Sequence, residues 1–136
     1  MLRARDLMHA EPVTVPSSAT LPEVQHLLVV TQIGGMPVIG PDGGVIGLVS
    51  ASDLLGAMEQ ALDEDRDEGE PEDLLARLQA ITAIEAATPE VIWVASDTPV
   101  AQVAEVMRTE GIHRVLVGSR ERLEGIITAF DLLRAL

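Results

Sequence analysis

Two short stretches carry the side chains best suited to holding a small molecule, Ser50-x-x-Asp53 and Thr128-x-x-Asp131, with His113-Arg114 upstream of the second. An ionised Asp only accepts hydrogen bonds and can hold two vicinal hydroxyls. A helix starting at such a stretch presents free N–H groups and a positive dipole end to an anion. Arginine offers a planar fork matched to phosphate, and a neighbouring histidine adds a donor. A plainer reading stands beside this one, because Ser/Thr-x-x-acid is also a capping-box pattern. His113 and Arg114 likewise fit an ordinary polar strand start. His9 and His26 have no acid or histidine at metal-ligand spacing, so no metal site is expected. Trp93 alternates with strand neighbours and reads as packing or interface rather than as a stacking partner. Gly-x-Ser-x-Gly, Walker A and dinucleotide fingerprints are all missing, which leaves hydrolase and kinase readings without a motif.

The elements that must position these residues come from sliding the sequence against itself. At an offset of 79, Val15 meets Val94, Ser17 meets Ser96, Val24 meets Val103, Ile33 meets Ile112 and Val38 meets Val117. Beyond one loop the offset is 78, and Gly47-Leu-Val-Ser50-Ala-Ser-Asp53 falls on Gly125-Ile-Ile-Thr128-Ala-Phe-Asp131. The residue lost in between lies in a turn, where insertions and deletions belong. Two copies are expected, residues 2–58 and 81–136, joined by an acidic linker over 59–80 that ends in a short helix around Leu74, Leu75 and Leu78. Each copy reads as β-α-β-β-α. A β-branched strand (13–15; 91–94) precedes a helix with apolar residues at Leu21, Val24, Leu28 and at Val100, Val103, Met107. Thr20-x-x-Glu23 and Asp97-Thr98-Pro99 signal the helix starts. A strand pair follows (36–39 with 45–49; 115–117 with 123–127), then a last helix opening at Ser52 or Phe130 and carrying Leu54, Leu55 and Met58 or Leu132, Leu133 and Leu136. One copy is too small to bury much surface alone, so a pseudo-two-fold pair sharing a core is expected. The fold class is α/β (α+β).

Composition narrows the partners. The chain has 136 residues, 47% hydrophobic and 1% aromatic, with 22 acids against nine bases, all Arg, for a net charge of −13. So few rings and so negative a field argue against nucleic acid and against an acidic membrane surface. There is no cysteine, which excludes disulfides and thiolate metal sites. No apolar run is long enough to span a membrane, nor does the N-terminus resemble a signal peptide, so a cytoplasmic protein is expected. Between Asp63 and Asp73, eight acids and one Arg form the linker, which repels itself. Asp63, Asp65 and Asp67 mimic a calcium loop, but Gly69 comes one place late and Leu74 stands where a bidentate Glu is needed.

Two copies of Gly-aliphatic-aliphatic-Ser/Thr-x-x-Asp, each closing the same β-α-β-β-α pattern, resemble the CBS domain, and the pair resembles a Bateman module. Met36-Pro37-Val38 and Arg5-Asp6-Leu7-Met8 add to the resemblance. It implies a stand-alone regulatory module without catalysis, binding AMP, ADP, ATP or S-adenosylmethionine in clefts between the copies, with no other cofactor. Carried over by position, Ser50 and Asp53, and Thr128 and Asp131, would face ribose and phosphate, while Val13 and Ile92 would flank adenine. His113 and Arg114 resemble the residues that contact phosphates in nucleotide-binding relatives. Copy one has Gly34-Gly35 in their place, so one competent anionic site and one weaker site are expected. Apolar surface on the last helices (Leu54, Leu55, Leu132, Leu133) points to a homodimer, with a regulated partner protein beyond it. The alternative is a structural dimerisation module that binds no nucleotide.

Overall fold

The computed structural model describes residues 1–65 and 71–135. The middle of the acidic linker (66–70) and Leu136 therefore lie outside the described residues. The chain divides into two compact units, Val13–Glu90 and Met1–Pro12 with Val91–Leu136. These spatial units are cut differently from the sequence copies, since each takes in the opening stretch of the other copy.

The unit from Val13 to Glu90 holds β2 (Val15–Pro16), α2 (Leu21–Thr31), β3 (Gly35–Ile39), β4 (Val45–Ser50), α3 (Ala51–Asp65), α4 (Pro71–Ala80) and α5 (Ala83–Ala86). Its sheet runs β2-β3-β4, with β2 parallel to β3 and β3 antiparallel to β4. A parallel neighbour demands a crossover, which α2 supplies. Leu21, Val24 and Leu28 recur at helical spacing and are the buried face of α2. Thr20 does not cap that helix with its side chain, contrary to the capping-box expectation, and a proline sits in the first turn. Prolines tolerate this place because the N–H there has no intrahelical acceptor. Val15, Met36, Val38 and Val49 are fully buried with Leu54 and Ala83 in one apolar cluster. Each such aliphatic side chain contributes roughly 1.5–3 kcal/mol on burial.

The second unit holds α1 (Ala4–Leu7), β1 (His9–Ala10), β5 (Trp93–Val94), α6 (Val100–Glu110), β6 (Arg114–Ser119), β7 (Arg122–Thr128) and α7 (Ala129–Arg134). Its sheet runs β1-β7-β6-β5, with β5 parallel to β6 and the other pairings antiparallel. Helix α6 begins after Pro99, which takes the cap position without a side-chain hydrogen bond. Ala4, Val94, Val103, Met107, Val115, Val117 and Ile127 form its buried cluster. Two buried clusters result, one in each unit, while Val45, Leu116 and Ile126 are buried outside both. Exchange of the opening stretches supplies what one copy lacks. Ala4 and Met8 of copy one complete one cluster; Ile81, Ala83, Ala86 and Ala87 of copy two complete the other.

The exchange repeats the same bonds. The Ala4 N–H donates to the Thr98 carbonyl (2.8 Å), and the Ala83 N–H to the Ala19 carbonyl (2.7 Å). Bridges Arg3–Pro99 and Thr20–Thr82 are likewise equivalents at the repeat offset. No strand forms at Val13 or Ile92; the observed strands start at Val15 and Trp93. On the last helices Leu54 is buried and Leu132 packs against a core, so only Leu55 and Leu133 of the expected apolar surface are exposed.

Candidate functional site

Each motif aspartate sits in the first turn of the last helix of its copy, directly after the strand that carries the motif glycine. The Oδ2 of Asp53 accepts from the Ser50 N–H (2.8 Å) and hydroxyl (3.0 Å), and Ser50 Oγ accepts from the Asp53 N–H (3.3 Å). Thr128 and Asp131 repeat the arrangement at the same three distances. The capping-box reading therefore holds for one oxygen of each carboxylate. The other oxygen is what distinguishes the two sites. Asp53 Oδ1 accepts from the Thr88 hydroxyl at 3.0 Å. Asp131 Oδ1 accepts from His9 Nε2 at 2.8 Å and from Arg134 at 3.3 Å. His9 and Thr88 are equivalents at the offset of 79, both borne on the exchanged opening stretches.

The motif glycine is explained by that exchange. Leu48 and Thr88 trade backbone hydrogen bonds (2.9 and 2.8 Å), and a Cβ on Gly47 would lie 2.9 Å from the Thr88 carbonyl oxygen. At Gly125 a Cβ would meet first the Met8 side chain, at 2.6 Å from Sδ, and then the His9 carbonyl oxygen at 3.0 Å. Only glycine lets the incoming backbone approach so closely. Sequence reasoning weighed His9 only as a metal ligand and passed over Thr88 and Arg134. The repeat offset links the first two, but nothing in one chain's pattern states that they contact the other copy's aspartate.

Asp131 is buried and Asp53 half-buried. Burial alone would raise the Asp131 carboxyl, yet the backbone of Thr128, the His9 side chain and the Thr128 hydroxyl, together with the charge on His9, hold it below the usual carboxylate value. An ionised carboxylate has no proton to give, so His9 Nε2 carries the hydrogen in this pair.

The remaining candidates divide. Arg114 opens β6 opposite Thr128 and is half-buried, with no hydrogen-bond or salt-bridge partner for its guanidinium among the described residues. His113 is exposed, and its carbonyl accepts from the Ala129 N–H at 2.9 Å. The Gly34 carbonyl does the same for Ala51 at 3.2 Å. Two of the first three N–H groups of α3 and of α7 are thus already used within the protein, which leaves less for an anion than the sequence implied. Val13 is 36% exposed outside any strand, whereas Ile92 packs against the core and its carbonyl accepts from Leu116. No cluster of three or more His, Asp or Glu suited to a metal occurs among the described residues. A groove of about 310 Å³ along α3, α4 and α5 is lined by Ala57, Ala61 and Ile81 together with Gln60, Glu64, Arg77 and Glu85, none of them a motif residue.

A twofold β-α-β-β-α chain with a capped carboxylate in the first turn of each repeat's last helix defines a tandem-repeat module. The model of the CBS domain family matches residues 4–60 and 81–136, and the chain belongs to that family. It is similar to Hypoxic response protein 1 of Mycobacterium tuberculosis, 27% identical over 100% of this chain and 86% of that protein. Among solved structures, the CBS domain of a CBS domain-containing membrane protein from Sphaerobacter thermophilus is 30% identical, with a TM-score of 0.80 over 100% of this chain and 88% of that one. The CBS domain pair of protein MJ0100, solved with 5-methylthioadenosine and S-adenosyl-L-methionine, is 25% identical, with a TM-score of 0.76 over 99% and 95%. The chain spans between 22% and 86% of the length of the curated relatives it matches. No helix among the described residues is long and apolar enough to cross a membrane.

Proposed function

We propose that the chain is a regulatory module that binds an adenosyl nucleotide through its motif aspartates and has no catalytic activity of its own. The observation that carries this reading is the half-buried Asp53 carboxylate, pinned at one oxygen by Ser50 and half-open at the other. Such a group suits a ribose diol. The unpartnered guanidinium of Arg114 supports a phosphate contact, and the adenosyl ligands of the MJ0100 pair support the ligand class. Binding that differs between two arrangements of the chain would shift their populations and pass the state to a partner protein. A second copy of the chain is the nearest partner. Leu55, Met58 and Leu62 recur at helical spacing on α3 and are 67%, 39% and 49% exposed, which supports a homodimer. The proposed setting is the cytoplasm.

Calorimetry with AMP, ADP, ATP, adenosine and S-adenosylmethionine tests the reading. Arg114→Ala is expected to weaken AMP about tenfold more than adenosine, roughly the worth of one charge-assisted contact. Equal weakening of both removes the phosphate role. The second reading, a structural dimerisation module without nucleotide, is favoured by the capping bonds that already occupy one oxygen of each aspartate. It prevails if nothing binds below about millimolar, where only ~4 kcal/mol of binding free energy remains.

A further inference from the structure

The two aspartates are equivalent in sequence but not in what they have left to accept. A carboxylate offers about four lone-pair positions. Asp131 has them all taken: two by the Thr128 N–H and hydroxyl, two by His9 and Arg134. Asp53 has three taken, by the Ser50 N–H and hydroxyl and by Thr88. The donors differ in kind as well as in number. Thr88 contributes a neutral hydroxyl, which rotates and can itself accept a hydrogen bond from an incoming hydroxyl. His9 and Arg134 contribute ring and guanidinium N–H groups; Arg134 cannot accept at all. The two sites also differ in access, since Asp131 is 5% exposed whereas Asp53 is half-buried.

We infer that the residue at the exchanged position, Thr88 in one site and His9 in the other, decides which aspartate can take a ribose diol: Asp53 is open and Asp131 is closed by its own protein. The inference rests on the nucleotide reading and refines it. It assigns diol recognition to Asp53 of copy one. Resident donors of this kind act as specificity determinants, because a ligand hydroxyl must replace a bond already made rather than fill a vacant position. Displacing a neutral hydroxyl from Oδ1 forfeits less than displacing a charge-assisted donor.

The test is calorimetry of the full chain with adenosine, a diol without phosphate. Asp53→Asn is expected to weaken adenosine about tenfold more than Asp131→Asn. Thr88→His, which gives Asp53 the donor of the other site, is expected to weaken adenosine five- to tenfold. His9→Thr is expected to raise the stoichiometry from one site towards two. Equal effects of the two asparagine variants, or indifference to Thr88→His, overturn the inference. Thermal-unfolding double-mutant cycles on the His9–Asp131 and Thr88–Asp53 pairs provide a readout without ligand. The first pair should couple the more strongly, by about tenfold in the unfolding equilibrium constant, and equal coupling overturns the assignment of resident donors. If neither the wild type nor His9→Thr binds adenosine or AMP while the couplings differ as expected, the nucleotide reading is what fails, and the assignment of donors stands.

Discussion

The unit built on Val13–Glu90 and the unit built on Met1–Pro12 with Val91–Leu136 are two solutions to one folding problem, and they agree in how the exchanged stretches dock on backbone and part where the chain turns. Their capping bonds at Ser50–Asp53 and Thr128–Asp131 match at 2.8, 3.0 and 3.3 Å. Their opening helices dock through the N–H groups of Ala4 and Ala83, both wholly buried. The hairpins, by contrast, diverge. In the first unit β3 and β4 are joined through Gly40–Gly44, with Gly43 at φ +87° and the Gly44 N–H donating to Asp42 Oδ1. In the second, Ser119 pairs with Arg122 around a two-residue turn, and Gly118 sits at φ +112° beside the bulge. Shared bonds mark what the pair needs in order to hold together; the differences mark what each copy was free to change.

The largest expected effect separates the hairpins. A Cβ on Gly118 would lie 2.3 Å from the Arg122 carbonyl oxygen, in backbone that L side chains avoid. Gly118→Ala is therefore expected to cost roughly 3 kcal/mol or more, since neither the strain nor the backbone clash can relax cheaply. In the first hairpin the position that matches Gly118 is Ile39; at the next residue, Gly40, the nearest atom is the side-chain Cγ2 of Ile46, at 3.0 Å, and φ is ordinary. Gly40→Ala should cost about 1 kcal/mol or less, because a side chain can give way. Urea unfolding midpoints measure both. Equal losses would show that the two turns are energetically alike and that the difference in register is incidental.

A smaller effect separates the aspartates under acid. The Asp131 carboxyl lies below its ordinary value of 3.8 in the folded protein. The sign follows from linkage: the ionised form is favoured by folding, so the stabilisation is complete above the unfolded value and is lost as pH falls through the folded one. Stability should therefore decline as the pH drops below about 4. Asp131→Asn should remove that part of the decline and cost about 1–2 kcal/mol at neutral pH, through the lost capping and His9 bonds. His9→Ala should shrink the acid-side decline, because it removes one of the donors that favour the carboxylate. Thermal midpoints between pH 2.5 and 7 decide the matter. An unchanged acid slope in Asp131→Asn would place the dependence on other carboxylates.

Much of the architecture was legible because apolar spacing reports burial directly. Leu21, Val24 and Leu28 announced the inner face of α2, and the offset of 79 announced the duplication. The motif carboxylates were legible as candidates, and their capping role was one of the two readings left open. Hidden from the sequence was the partner of each opening stretch. His9 and Thr88 occupy equivalent places, so a contact with either copy's aspartate satisfies the same pattern, and only three-dimensional packing chooses. The short helices α1 and α5 were missed for a related reason. Four residues give no periodicity to read, and their burial comes from docking Ala4 and Ala83 on distant backbone.

The smallest expected effect concerns how the crossover helices end. Helix α2 terminates at Gln32, with φ 55° and ψ 39°, while α6 terminates at Gly111, with φ 64° and ψ 38°. The two backbones are thus the same left-handed cap, filled by a residue that pays a steric penalty in one copy and by glycine in the other. A Cβ on Gly111 would meet nothing within 4 Å, so any cost of replacing it is conformational rather than a clash. Gln32→Gly should stabilise the chain by roughly 0.5–1 kcal/mol, and Gly111→Gln should destabilise it by a similar amount. The double exchange should come out close to neutral, because the two caps end different helices in different units. Chemical unfolding of the two single variants and the double one tests all three values. A destabilised Gln32→Gly would mean that the exposed Gln32 side chain makes a contribution to the end of α2 that outweighs its backbone strain.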